Sequence, residues 1–241
     1  MKFLVIFLLT LISFFPKQIS SNEIEPESLE TASQKIKTIV CIHGFYRTTL
    51  NMYLIERAFK KEGYQVYNWR YKSRDKMINE HGNDLVDLLN EIAQNAPNEP
   101  IYFVTHSMGG LVLKSALNET NCPFEAKIGK AALIAMPNKG SIVAKSLYSS
   151  NIAKKLFGKN AGLELMTKDF NDIGFFPKEM RVLSIAGTLG FNPLIKEPND
   201  GKVAISETSI DTPHQKIFVK AGHSFICYSP TVIRHLKEFL K

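Results

Sequence analysis

Apolar and polar residues alternate along this chain in a rhythm that changes period as it goes. Thr38-Ile39-Val40-Cys41-Ile42 is a continuous apolar run ending in His43-Gly44-Phe45, and a strand apolar on both faces belongs in a parallel sheet covered by helices. The spacing then predicts a helix over about 50–62 with Leu50, Tyr53, Leu54 and Ala58 on one side, ended by Gly63, where a C-terminal cap belongs. A strand follows over 64–71, then a helix over about 83–94 with Leu85, Leu88, Leu89 and Ile92 at i, i+3, i+4 and i+7. Ile101-Tyr102-Phe103-Val104 reads as a buried strand, and Leu111, Val112, Ala116 and Leu117 follow at helical spacing. A further buried strand is expected over 128–136, another at Arg181–Gly187, and one near Ile217–Lys220. Ser229-Pro230 opens a terminal helix, with a capping residue followed by proline at the first position. Repeated strand-then-helix units predict a parallel sheet with right-handed crossovers.

After Met136 the rhythm breaks. Some 40 residues pass between Pro137-Asn138-Lys139-Gly140-Ser141 and the strand at 181, too long for a plain connection. Within this stretch Ile142, Val143, Leu147, Ile152, Leu156 and Phe157 are interleaved with Lys145, Lys154, Lys155 and Lys159. Short basic amphipathic helices covering a site are one reading, and ordinary surface helices packed on the core are the other.

The N-terminus has a different texture. Lys2 precedes an apolar run, Phe3 to Phe15, then Pro16, Lys17, Ser20 and Ser21, a run too short to span a bilayer comfortably and typical of a secretory leader over 1–21. Ile19 is an untidy residue before a cleavage site, so an uncleaved membrane anchor is the alternative. Residues 22–36 are polar and acidic and read as a linker, leaving one domain over 37–241. At 241 residues, 44% hydrophobic and 22% charged, the chain supports one sizeable core and does not demand two.

Lys2 and Lys17 account for +2 of the formal charge of +7 and leave +5 on the remainder. That balance favours anionic surfaces such as phospholipid head groups, while no Lys/Arg block resembles a nucleic-acid arm. Of the three cysteines, Cys41 reads as a small core residue, and Cys122 and Cys227 could pair in an oxidising compartment. No Cys/His spacing suggests a metal site.

The candidate chemistry centres on His106-Ser107-Met108-Gly109-Gly110, between the strand at 101 and the helix after it. A serine on a sharp strand-to-helix turn has an exposed hydroxyl beside free helix N–H groups. The plainer alternative is a serine that merely caps the helix. A hydroxyl is a poor nucleophile at neutral pH and needs a histidine to take its proton and a carboxylate to orient that histidine. Ser107, Asp200 and His223 offer these roles. Asp200 sits in an Asn-Asp-Gly turn expected just beyond a strand, with Asp211 and Glu207 as nearby rivals. His43 is read as shaping the loop before the serine and His106 as pointing the wrong way to serve it. His81, His214 and His235 are expected at the surface or at strand ends.

With these residues in view, the chain from about 37 to 238 resembles the α/β-hydrolase fold, and within it the small bacterial lipases and esterases. The resemblance rests on His43-Gly44-Phe45, Gly63-Tyr64-Gln65-Val66, His106 through Val112, Pro137-x-x-Gly140-Ser141, Asn199-Asp200-Gly201-x-Val203 and Gly222-His223. Thr105 stands where the usual Gly-x-Ser-x-Gly has its first glycine, and Arg70 where many members carry an acid. The resemblance implies a mostly parallel open sheet with helices on both faces and a lid-like insertion at about 138–179. It implies Ser107 as nucleophile, His223 as general acid/base and Asp200 as its partner, with the N–H groups of Phe45 and Met108 as oxyanion hole and no cofactor. The expected function is ester hydrolysis on a lipid or small ester by a secreted or periplasmic enzyme, with peripheral contact to an anionic membrane and no nucleic acid. Acyl transfer by the same residues, or a catalytically silent lipid-binding module, are the alternatives.

Overall fold

Six strands alternate with helices along the chain: β1 Thr38–Ile42, β2 Gln65–Trp69, β3 Ile101–His106, β4 Lys130–Ile134, β5 Arg181–Gly187 and β6 Gln215–Val219. The structure, a computed structural model, describes residues 36–241. The expected leader over 1–21, and the linker up to residue 35, lie outside the described residues. All five strand pairings are parallel, in the order β2-β1-β3-β4-β5-β6. The expected open α/β sheet is therefore observed.

Because side chains alternate across a strand, the doubly apolar strands feed two cores. Val40 and Ile42 join Phe103, Leu133 and Val182 on one face, covered by α2 (Ile78–Asn95) and α3 (Met108–Leu117), with α4 (Phe124–Lys127) beside them. Ile39 and Cys41 join Val104, Ile134 and Ile185 on the other, under α1 (Tyr53–Lys60) and α8 (Pro230–Leu240). This layering separates the two cysteines whose pairing the sequence left open. Cys122 lies in the first core and Cys227 in the second, with the sheet between them, and both are free thiols.

Two helices differ from the pattern reading. The first begins as a 3-10 turn, Thr49–Met52, before α1, and its buried stripe is Met52, Ile55 and Phe59, while Leu50 and Tyr53 face outward. The change of pitch rotates the apolar face by part of a turn. Helix α2 starts at Ile78 rather than near Asn83, because Glu80 reaches back to accept from the Met77 N–H at 2.7 Å and Glu164 accepts from the Ile78 N–H at 2.7 Å. Two acids thus satisfy amides that have no partner inside the helix. This lengthened helix buries His81, expected at the surface, edge-on against Tyr71.

The insertion forms three short helices, α5 (Ile142–Leu147), α6 (Asn151–Phe157) and α7 (Asn160–Thr167). Ser141 and Ser150 cap the first two by accepting from Ala144 N–H and Ala153 N–H. At its base the buried Lys114 ammonium of α3 donates to the Phe170 carbonyl at 2.8 Å and to Asn138 Oδ1 at 3.0 Å. Among the described residues no helix is long and apolar enough to cross a membrane.

Candidate active site

The loops that follow β3, β5 and β6 bring three side chains together. Ser107 joins β3 to α3 with φ 51° and ψ −125°, a left-handed conformation that costs a non-glycine residue about 1–3 kcal/mol. The turn is held because the Ser107 N–H donates to the Ile134 carbonyl at 2.8 Å and the Gly110 N–H to the Ser107 carbonyl at 3.0 Å. It lets α3 run close under the end of β1. A Cβ on Gly109 would stand 2.5 Å from the Ile42 carbonyl oxygen, so this position admits only glycine. At Thr105, where the family pattern has its other glycine, a fully buried side chain fits between Ile42 and Leu133 of the neighbouring strands, with its hydroxyl unpartnered among the described residues.

His223 follows β6. Its Nε2 lies 3.1 Å from Ser107 Oγ and its Nδ1 lies 2.7 Å from Asp200 Oδ2. An ionised carboxylate only accepts, so Nδ1 carries the proton and Nε2 faces the serine hydroxyl with its lone pair. Both partners of this relay are nearly buried, Asp200 at 4% exposure and His223 at 7%. The other oxygen of Asp200 accepts from the N–H groups of Lys202 at 3.0 Å and Val203 at 2.8 Å. Asn199 closes the turn by accepting from the Gly201 N–H, and the His223 N–H donates to the Asp200 carbonyl at 2.9 Å. Backbone and side chain thus fix acid and imidazole in one unit, although Asp200 lies well past the end of β5 rather than just beyond it.

The rival residues have other tasks. Asp211 pairs with Lys139 at the surface. Glu207 accepts from Ala204 N–H and Ile142 N–H, which ties the turn of Asp200 to the start of α5. His106 makes no hydrogen bond to Ser107 among the described residues, and its Nε2 lies 3.1 Å from the His223 carbonyl. Burial, with His223 and Arg47 nearby, pushes His106 well below the usual histidine range, so it is a neutral support beneath the His223 loop. His43 is also pushed down by burial. It stacks on Tyr71, whose hydroxyl donates to the His43 carbonyl at 2.7 Å. His214 contacts the Thr212 carbonyl, and His235 lies beside Glu238 on α8.

The loop after β1 runs against the serine. A Cβ on Gly44 would stand 3.0 Å from Ser107 Cβ, so the chain just ahead of Phe45 packs against the serine. Met108 opens α3, where a first-turn N–H has no acceptor inside the helix. Neither amide donates to another described residue, so both are free to meet a developing negative charge.

Ser107 and His223 open into a cavity of about 240 Å³ whose walls are mainly apolar and come largely from the insertion: Val143, Leu147, Phe157, Leu165 and Met166, with Phe45 opposite. Of the two sequence readings of that insertion, the one in which its helices cover the site is observed. Lys202 and His223 are the only side chains with a charge-bearing group in this lining among the described residues. Lys202 was not singled out by the sequence, although it is the unspecified position of Asn-Asp-Gly-x-Val. Among the described residues no cluster of His, Cys, Asp or Glu could hold a metal ion.

A search of curated proteins returned no match. Solved structures of similar fold include the mature lipase BlEst2 of Bacillus licheniformis, 19% identical with a TM-score of 0.69 over 86% of this chain and 92% of that one. They also include the metagenomic carboxyl esterase MGS0156, 17% identical with a TM-score of 0.60 over 80% of this chain and 66% of that one. The Pyrococcus furiosus esterase PF2001 is 17% identical with a TM-score of 0.57 over 85% and 82%. The model of the family described as serine aminopeptidase, S33, matches residues 33–171, from ahead of β1 through the insertion. With more than half its length in that match and the parallel sheet around it, the chain belongs to the serine aminopeptidase S33 family of α/β-hydrolases and is a hydrolase.

Proposed function

We propose that the protein is a serine carboxylic-ester hydrolase of the lipase or esterase type, working through an acyl-enzyme on Ser107. The observation that carries this reading is the continuous chain Ser107 Oγ, His223 Nε2 at 3.1 Å and Asp200 Oδ2 at 2.7 Å from Nδ1, opening into an apolar cavity. His223 takes the hydroxyl proton as Ser107 Oγ bonds to the ester carbonyl carbon. The carbonyl oxygen becomes an oxyanion facing the Phe45 and Met108 amides, each donor contributing about 3 kcal/mol by analogy with measured oxyanion holes. Collapse breaks the bond to the leaving alcohol, which receives the proton from His223. A water molecule then repeats the sequence on the acyl-enzyme, giving its proton to His223 and releasing the acid and free serine.

The lining favours an ester with an apolar acyl group over a peptide with a free amino terminus. A cationic amine would need an acid to receive it, and the charge at the cavity wall is the ammonium of Lys202. Lysines and apolar residues on α5 and α6 support contact with an anionic lipid surface, and the apolar leader supports export to the periplasm or medium. Replacing Ser107 by alanine should lower ester turnover on the order of 10⁴-fold or more. Residual activity within tenfold of the parent would remove Ser107 as nucleophile. Following ester formation against acid release with a long-chain alcohol present separates hydrolysis from acyl transfer.

A further inference from the structure

Beyond the apolar cavity lies a second and larger one, about 630 Å³, between the loop after β1 and the loop after β2. Its walls carry four cations, Arg47, Arg70, Lys72 and Arg74, against a single carboxylate, Asp75. Lys72 approaches Asp75 at 3.9 Å with both side chains largely in water, a contact of little worth. Arg70 makes no ion pair among the described residues. Like charges gathered at one concavity repel one another unless an anion joins them, so the cluster costs stability in the absence of a ligand.

The concavity is also built rather than incidental. The Tyr46 N–H donates to Ser73 Oγ at 3.0 Å, which joins the two loops. The Arg74 guanidinium lies 4.3 Å from the Tyr46 ring, held there by cation–π attraction. The Arg47 guanidinium donates to Ser224 Oγ at 2.7 Å, next to His223. Fully buried His43 contributes to the wall, with its Nε2 unpartnered among the described residues. Arginine forks and serine or threonine hydroxyls together suit a tetrahedral oxyanion.

Its position relative to Ser107 gives the pocket a meaning. Tyr46 lines both cavities. Phe45, Tyr46 and Arg47 are consecutive, so the oxyanion amide and the first cation of the basic pocket stand on Cα atoms at most about 7 Å apart. We propose that this basic pocket is a phosphate subsite, holding the head-group phosphate of an ester lipid whose acyl chain occupies the apolar cavity beside Ser107. The proposal rests on the ester-hydrolase reading and narrows its substrate to phosphate-bearing acyl esters. It also gives a role to Arg70, a cation where related chains often carry an acid.

The test measures binding in the full chain carrying Ser107→Ala, so that it does not depend on turnover. Two probes with the same acyl chain, an oleoyl lysophosphatidic acid and an oleoylglycerol, are titrated in the same neutral detergent micelles, with inorganic phosphate as a third. The phosphate lipid should bind about tenfold tighter than the neutral one, and phosphate should compete weakly. Adding Arg70→Gln should remove most of that preference, while Lys127→Gln on α4, which changes the net charge equally away from the pocket, should leave it. Equal affinity for the two lipids, or a preference that survives Arg70→Gln in protein with an unchanged melting temperature, would overturn the proposal. Free phosphate binding as tightly as the phosphate lipid would overturn the substrate assignment, leaving a site for the ion alone. A parent that binds the phosphate lipid yet hydrolyses no ester would refute the hydrolase reading and leave the subsite standing.

Discussion

Ser107 adopts a backbone conformation that L-residues avoid, and the cost is met by its surroundings. Ile134 anchors its amide, Gly109 lets α3 approach β1, and Gly44 brings the loop after β1 within van der Waals contact of its Cβ. With Gly44→Ala the new methyl would meet Ser107 Cβ and His106 Nδ1 at 3.0 and 3.1 Å, pushing the Phe45 amide away from the oxyanion position. The kcat for ester hydrolysis should fall on the order of a hundredfold with KM and the melting temperature changed little, and unaltered kinetics would remove Phe45 from the hole. At this scale the sequence was most readable where residue types constrain chemistry. Ser107, Asp200 and His223 could be picked out because a relay needs those groups in loops, and the structure brings all three together. Lys202 and Arg47 carried no such mark, since a lone cation in a loop is ordinarily a solvated side chain. His81 was misplaced because its burial depends on where α2 begins, which Glu80 and Glu164 decide from outside the apolar pattern.

Among the elements, the insertion supplies most of the apolar wall beside the serine. Its three helices are too short to be stable alone and are fastened at both ends, by Glu207 at the Ile142 amide and by Lys114 at the Phe170 carbonyl. Outward they present Ile152, 74% exposed, and Leu156, 51% exposed, beside Lys154 and Lys155. Such a face suits an interface of acyl chains and anionic head groups. Reversing both lysines with Lys154→Glu and Lys155→Glu should weaken co-sedimentation with phosphatidylglycerol vesicles by about tenfold or more, with binding of the parent falling as salt rises. Vesicle binding that ignores both changes would make α6 a plain covering helix. The length of the break after Met136 and its mixed apolar and basic residues made this element legible. The phase of α1 was not, because the stripe Leu50, Tyr53, Leu54 and the stripe Met52, Ile55, Phe59 both have helical spacing, and the 3-10 start chose the second.

For the molecule as a whole, two cores separated by one sheet explain both its architecture and its expected response to acid. The doubly apolar strands announced the covered parallel sheet, but which face each loop joins is a tertiary matter, and that is why the sequence left pairing of Cys122 with Cys227 open. His43, His81 and His106 are buried, and burial holds all three below the ordinary histidine range. The unfolded chain therefore binds more protons than the folded one once the pH drops below about 6.5. Their contribution to stability is complete above that pH and is lost as the pH falls through the depressed folded-state values. The urea midpoint should decline steadily from pH 7 to pH 5, less steeply in His81→Phe than in the parent, and a flat midpoint over this range would show that these imidazoles take up protons equally in the folded and unfolded states.

We propose Ser107, activated by His223 and oriented by Asp200, as the nucleophile. Reaction with a fluorophosphonate followed by peptide mass spectrometry tests it most directly. A single adduct is expected on Ser107 in the parent, none in Ser107→Ala and strongly slowed labelling in His223→Ala. Labelling that persists in folded Ser107→Ala, or a folded parent that takes no label, would contradict it.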